Sequence, residues 1–376
     1  GKTETILASL INKTTTLKPD FTTGMPTSVN IESLVRDNIR ELTPYRSARD
    51  DFDSGTLLDA NENSYGSPVR NPLNLHRYPS PTQDELRDKI AKYRGVEREN
   101  IFLGVGSDEP IDLLMRIFCE PGQDSVLITP PTYGMYKVAA NINNVEVKSV
   151  ELTEKYQLKP DEVIDAADVN TKLLFLCSPN NPTGNDLKRT DLLKLVARFK
   201  GIVVVDEAYI DFSRQESMAQ MVQQYPNLVV LQTFSKAFGM AGIRLGIAIA
   251  NPEIIDYMLR VKAPYNINKL TADTALKVFE NLDLAKFNIK AIQDEREYVA
   301  EQLSHSHAVK KVHPSNANFI LFQIENAREV YNQLAERGVI VRYRGNEPLC
   351  EDCLRVTIGM PNENVKFLKV LKEIVG

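Results

Sequence analysis

The stretch Thr233-Phe234-Ser235-Lys236-Ala237-Phe238-Gly239-Met240-Ala241-Gly242-Ile243-Arg244 follows an apolar run at 228–232, so a lysine stands just beyond a buried segment. Hydroxyls before it and glycines after it allow close approach, and an amine so placed can act as a Schiff-base nucleophile. Three further segments carry complementary groups. The apolar run 202–205 ends in Asp206-Glu207-Ala208-Tyr209; a carboxylate leaving a wholly apolar strand needs a cation to offset its burial. The run 101–105 leads through Gly106-Ser107-Asp108-Glu109-Pro110 into an apolar helix at 111–118. With two glycines, a Ser/Asp cap and a proline in the first turn, that helix N-terminus is open to an anion, and phosphate suits it. The run 173–177 ends in Ser178-Pro179-Asn180-Asn181-Pro182-Thr183-Gly184, a rigid polar turn. Each has a plainer reading alone: a surface lysine, a carboxylate salt-bridged to some arginine, a capped helix start, an ordinary turn. Together, an anion cradle, a buried aspartate, a loop lysine beside a serine and an arginine eight residues later point to one site.

Such groups need elements that bring strand ends together. Short β-branched runs at 125–129, 173–177, 202–205, 228–232 and 246–250 alternate with helical patterns such as 187–199. Runs of that kind read as buried parallel strands between helices, an α/β layered sheet. In these sheets ligand-binding residues gather in loops beyond the C-terminal strand ends, where all four segments fall. After Glu253 the pattern is helical to about Leu303, then strand-like at 318–323, helical at 327–337, strand-like at 339–343 and 350–358, and helical to the end. That tail reads as a smaller α+β domain. No internal repeat or low-complexity linker interrupts the chain after about Asn30.

A chain of 376 residues accommodates one large domain with a smaller one attached. With 45 basic and 50 acidic residues, a net charge of -5 and no long single-sign block, it has no electrostatic footprint for nucleic acid. No apolar run approaches the roughly 18 to 20 residues needed to cross a bilayer. The apolar stretch 6–11 is shorter than a secretory h-region, and the Thr-rich segment up to about Ser28 reads as an arm without strong periodicity. Four cysteines (Cys119, Cys177, Cys350, Cys353) make no disulfide framework, so a reducing, cytoplasmic compartment is the simpler expectation. Cys350 and Cys353 form a C-x-x-C that could be half a zinc site or a redox pair. There is no second pair, and none of the four histidines has ligand spacing near it, so no metal is expected.

In order and spacing the four segments resemble the fold-type-I pyridoxal-phosphate aminotransferases, over a stretch from about Leu34 to the C-terminus. Within that superfamily the chain looks most like the histidinol-phosphate aminotransferases. The likeness rests on Leu42-Thr43-Pro44-Tyr45, Leu58-Asp59-Ala60-Asn61-Glu62-Asn63, Arg77-Tyr78-Pro79 and Pro130-Pro131-Thr132-Tyr133-Gly134-Met135-Tyr136. No catalytic position departs from the pattern, and the arm up to about Ser28 is the part it does not cover. The resemblance implies a large domain over 56–265, built on a mostly parallel seven-stranded sheet flanked by helices, and a small α+β domain over 266–376. Residues 30–55 would contribute to the small domain and to a dimer contact, and 1–29 would form a flexible arm.

Carried onto matching positions, the resemblance makes Lys236 the amine that bonds to the cofactor aldehyde and later moves a proton. Asp206 would keep the pyridine nitrogen protonated, Asn181 and Tyr209 would hydrogen-bond the phenolic oxygen, and Tyr133 would stack on the ring. The cofactor phosphate would take backbone N–H groups at Ser107 and Asp108, the hydroxyls of Ser235 and Thr233, the Arg244 guanidinium, and Tyr78 from a neighbouring subunit. Arg355 would grip glutamate's carboxylate or a substrate phosphate, with Arg342, Tyr45, Asn61 and Tyr78 as further substrate contacts. The implied protein is a homodimer with shared sites. The implied reaction is ping-pong exchange of an amino group between glutamate and imidazole acetol phosphate, giving L-histidinol phosphate in histidine biosynthesis. Rivals on the same scaffold are an aromatic amino-acid aminotransferase and a threonine-phosphate decarboxylase. A cofactor-binding regulator would need a DNA-binding module, and the arm is too short and lacks helix-turn-helix periodicity.

Overall fold

In the computed structural model, which describes residues 29–376, the apolar runs assemble into one seven-stranded sheet. Its strands are β1 (Ile101–Val105), β2 (Ser125–Ile128), β3 (Glu146–Ser149), β4 (Thr171–Cys177), β5 (Ile202–Asp206), β6 (Leu228–Thr233) and β7 (Leu245–Ala250), in the order β1-β7-β6-β5-β4-β2-β3. The central strands carry unbroken apolar runs in their middles because both faces are covered. Leu174, Leu176, Val203, Val205 and Val230 pack under the helices Asp84–Arg94 and Arg189–Arg198. The alternate residues Leu173, Phe175, Ile202, Val204 and Val229 pack under Asp108–Phe118, Met135–Ile142 and Pro252–Val261.

The sheet is mostly parallel, as expected, but the run at 246–250, read among the parallel strands, is reversed. β7 runs antiparallel to both β6 and β1. The connection from Thr233 to Leu245 is too short to cross the sheet and return in the same direction, which takes a dozen or more residues, so the chain turns back beside β6. β3 was not anticipated because Glu146-Val147-Lys148-Ser149 is a half-exposed edge without an apolar run.

A second, four-stranded antiparallel sheet is formed by β8 (Val309–Val312), β9 (Phe319–Ile324), β10 (Arg342–Tyr343) and β11 (Cys353–Thr357), in the order β10-β11-β9-β8. Phe322, Ile324, Leu354 and Phe367 centre its core, under the helices Leu282–Ser304, Ala327–Glu336 and Pro361–Val375. The strands expected at 339–343 and 350–358 shrink to β10 and β11. Between them the chain loops back, with Arg344 N donating to Cys353 O and left-handed backbone at Leu349 and Asp352. Residues 1–28, most of the expected arm, lie outside the described residues.

Candidate active site

Strands β1, β2, β4, β5 and β6 point the same way, so the segments following them emerge along one edge of the sheet. Cys177 and Asp206 are register partners on neighbouring strands. The loops around these strand ends and the small sheet enclose a cavity of about 510 Å³.

Asp206 projects from the end of β5 and is 2% exposed. Its Oδ2 accepts from the Tyr136 hydroxyl at 2.6 Å and its Oδ1 from Ala208 N at 3.1 Å. Burial pushes its carboxyl up to about 6, and those two donors hold it from rising further. A carboxylate so placed calls for a cation on its cavity side. The Tyr136 hydroxyl is itself pushed well above its usual range by burial.

The turn after β4 is fixed by Asn180, which is buried and donates to Pro131 O at 2.8 Å and Thr183 Oγ1 at 2.7 Å. That anchorage presents Asn181 to the cavity, its Nδ2 donating to the Tyr209 hydroxyl at 3.4 Å and its Oδ1 accepting from Arg355 Nη1 at 2.5 Å. Lys236 enters from the loop after β6, with Nζ 5.7 Å from the centre of the Tyr209 ring. It is reachable from the cavity, yet the surrounding walls strip enough water to lower its basicity, and Arg355 and Arg244 lower it further. A less basic lysine holds more of the neutral amine that can attack a carbonyl carbon.

The other end is an anion cradle. Helix Asp108–Phe118 starts there, and Ser107 occupies its N-cap position without capping it, contrary to the expected Ser/Asp cap, so its side chain is left for another partner. Arg244 is held in left-handed backbone at φ 54 and donates to Ser235 Oγ at 3.2 Å. Its guanidinium stands 4.0 Å from Asp108, whose other oxygen accepts from the Tyr133 hydroxyl at 3.0 Å. Glycine is required beneath: a Cβ on Gly246 would lie 2.2 Å from the backbone of Gly106. Thr233 fixes the loop locally, its hydroxyl accepting from Ser235 N at 3.1 Å.

Arg342 and Arg355 line the side of the cavity formed by the small sheet and are register partners in β10 and β11. Like charges directly opposite on neighbouring strands repel, and an anion between them relieves the repulsion. Arg344 and Glu347 line the same wall, paired at 3.1 Å.

The structure thus brings together Ser107, Asp108, Tyr133, Asn181, Asp206 and Tyr209 with Thr233, Ser235, Lys236, Arg244, Arg342 and Arg355. Tyr45, Asn61 and Tyr78 do not line this cavity within one chain. Tyr45 is exposed beside a separate pocket with Tyr265, and Asn61 and Tyr78 line a third. Tyr78 stacks on Tyr265 at 4.7 Å. Sequence reasoning gave no role to Tyr136, Arg344 or Glu347. Tyr136 shares the buried face of Met135–Ile142 with Ala139 and Ala140, a spacing that could have singled it out. Arg344 follows Arg342 by two, the strand repeat. Among the described residues no group of three or more His, Cys, Asp or Glu could hold a metal ion, and no helix is long and apolar enough to cross a membrane.

An anion cradle, a buried carboxylate wanting a cation and an amine of lowered basicity fit the phosphate, the ring nitrogen and the aldehyde of pyridoxal phosphate, so fold and cavity define a fold-type-I enzyme dependent on that cofactor. The family profile for aminotransferase class I and II matches residues 57–369. The histidinol-phosphate aminotransferase of Parabacteroides distasonis is 48% identical over 92% of this chain and 99% of its own length. Among solved structures, the histidinol-phosphate aminotransferase of Clostridium acetobutylicum matches with a TM-score of 0.74 at 27% identity, over 80% of this chain and 91% of that one. The L-threonine-O-3-phosphate decarboxylase of Porphyromonas gingivalis matches at 0.68 and 26%, over the same shares. The chain belongs to the class I and II aminotransferases, within the branch of the histidinol-phosphate aminotransferases.

Proposed function

We propose that this chain exchanges an amino group between L-histidinol phosphate and 2-oxoglutarate, the former giving imidazole acetol phosphate and the latter L-glutamate. It would do so as a cytoplasmic homodimer whose two sites are shared between subunits. The observation that carries the substrate assignment is the opposed pair Arg342 and Arg355 on the cavity wall away from the Arg244 cradle. The cavity therefore has a second cationic end, suited to a substrate phosphate in one half of the cycle and a carboxylate in the other.

Pyridoxal phosphate, when bound, supplies the aldehyde that captures the substrate amine and the ring that accepts the electron pair released as the Cα–H bond breaks. Asp206 holds the proton on the ring nitrogen, and Tyr136 and Ala208 N–H keep that carboxylate charged and aimed. Asn181 and Tyr209, which line the cavity, would donate to the phenolic oxygen, and Tyr133 would cover the ring. The first turn at Ser107 and Asp108, with Thr233, Ser235 and Arg244, binds the phosphate. Lys236 Nζ would accept the proton lost from the substrate Cα and hand it on.

The exposed Tyr45, Asn61 and Tyr78 complete the site of the neighbouring subunit. This is supported by their absence from the lining of their own chain's cavity and by the exposed apolar surface at Tyr45, Phe52, Leu58, Tyr65 and Tyr78, more than isolated surface residues account for. Subunit mixing tests it. Lys236→Ala and Tyr78→Ala chains are each impaired, and refolding them together gives hybrids with one intact site and regained activity. A mixture no more active than its components refutes shared sites.

A further inference from the structure

Next to Asp206 in the chain, Glu207 is a second buried carboxyl, 2% exposed, for which the chemistry above has no use. Its Oε1 is well served, accepting from Met218 N at 2.6 Å and from the Ser217 hydroxyl at 3.1 Å. Its Oε2 is buried without a hydrogen-bond partner. On β6, Gln232 is in the matching condition. Its Nε2 donates to the same Ser217 hydroxyl at 3.2 Å, and its Oε1 is buried with no partner. Glu207 N donates to Leu231 O at 2.8 Å, so the two side chains leave adjacent strands beside each other.

Glu207 and Gln232 are joined through one hydroxyl, and the remaining oxygen of each lacks a donor, so the pair is short of a single proton. The charged groups around this pocket do not supply a cation in its place. Arg94, from helix Asp84–Arg94, spends both Nη atoms on Asp211, at 2.9 Å each. Tyr93 lies beyond that pair, its hydroxyl raised by burial and by Asp211. Arg189 reaches the backbone carbonyls of Glu216 and Ser217. Asp206 is bound instead by Tyr136.

We propose that Glu207 is carried as the neutral acid and donates from Oε2 to Gln232 Oε1, closing a ring of Glu207, Ser217 and Gln232. That ring ties the strand end bearing Asp206 to the strand whose loop bears Lys236, which makes Glu207 a positioning residue for both. Only this consequence rests on the roles proposed above; the proton does not. Burial pushes the Glu207 carboxyl up to about 7 from the usual 4.5, with Ser217 and Met218 N–H opposing it. The sign of the pH effect follows. Below 4.5 folded and unfolded chains both hold the proton; between 4.5 and about 7 the folded chain alone holds it, so this contribution to stability falls as pH rises and is lost above about 7.

Glu207→Gln reproduces the neutral acid, accepting from Ser217 and Met218 N and donating to Gln232. The full chain is compared with this variant, with and without pyridoxal phosphate, by infrared difference spectroscopy at pH 6 and by melting temperature across pH 4.5 to 8. Wild type shows the carbonyl band of an un-ionised carboxylic acid that the variant lacks, and its melting temperature falls relative to the variant's as pH rises to about 7. Gln232→Met, which removes the acceptor, shifts that band towards an acid without a hydrogen bond, and this holds the test open should the first variant misfold. Glu207→Leu lowers turnover several-fold, whereas Glu207→Gln keeps it. Absence of the band, parallel melting curves, or a band indifferent to Gln232→Met overturns the proposal. Because the infrared and melting measurements need no substrate, they stand or fall separately from the substrate assignment.

Discussion

Replacing Tyr136 with Phe removes one oxygen from a fully buried ring and leaves Asp206 Oδ2 without its donor, now at 2.6 Å. A hydrogen bond to a buried charge contributes roughly 1.5–3 kcal/mol, and one pKa unit is about 1.4 kcal/mol, so the loss raises Asp206 by roughly one to two units. Starting from about 6 in the free protein, the variant's carboxyl then titrates at roughly 7 to 8. If the bound cofactor requires the ionised form, affinity falls with the ionised fraction: roughly 2- to 10-fold at pH 7, roughly 10- to 100-fold at pH 5, and almost not at all at pH 9. Titrating cofactor-free protein with pyridoxal phosphate at these three pH values, following protein fluorescence, measures the ratio of dissociation constants directly. Effects of Lys236 ionisation enter both proteins alike and cancel. A ratio that is constant with pH would mean that Tyr136 acts through packing alone, and a ratio of one at every pH would remove it from the account.

Two other substitutions probe the two anion sites. Arg355→Lys replaces a planar fork with a point charge and should raise KM for the phosphate-bearing substrate roughly 10- to 100-fold, with a smaller change in kcat; steady-state kinetics with unchanged KM would release Arg355 from that role. Gly106→Ala forces a side chain onto backbone at φ +67 and places its Cβ 2.5 Å from Arg244 Nη2. It should weaken cofactor binding several-fold and cost about 1 kcal/mol or more of stability in thermal unfolding, and unchanged binding would mean that Arg244 does not need its present position.

The legible parts of the chain were those where one physical demand dominates. β4, β5 and β6 are buried on both faces, so each carries an apolar run, and the polar residues ending those runs mark the cavity edge. Asp206 and Lys236 stood out for that reason. β3 and β8 were illegible because edge strands with half-exposed faces need no apolar run. The direction of β7 is set by the length of its connection, which its own composition does not reveal. Tyr136 was legible as a buried helix-face residue, but its bond to Asp206 crosses a 70-residue separation that no local pattern encodes. Arg342 and Arg355 were visible as residues, but their opposition depends on strand register. Tyr45, Asn61 and Tyr78 line pockets other than this cavity, so neither composition nor the fold of the single chain connects them to it.

The central claim is that this cavity binds pyridoxal phosphate at the Arg244 end and a phosphate-bearing amine at the Arg342 and Arg355 end. A half-reaction tests it most directly. The protein carrying its cofactor is mixed with L-histidinol phosphate and no acceptor, and the visible absorbance of the bound cofactor is followed, with glutamate, phenylalanine and threonine phosphate run in parallel. Rapid bleaching to the pyridoxamine form by histidinol phosphate and glutamate, with much slower change for the other two, is the predicted result. A protein that holds its coloured cofactor but leaves it unchanged on addition of histidinol phosphate contradicts the substrate assignment.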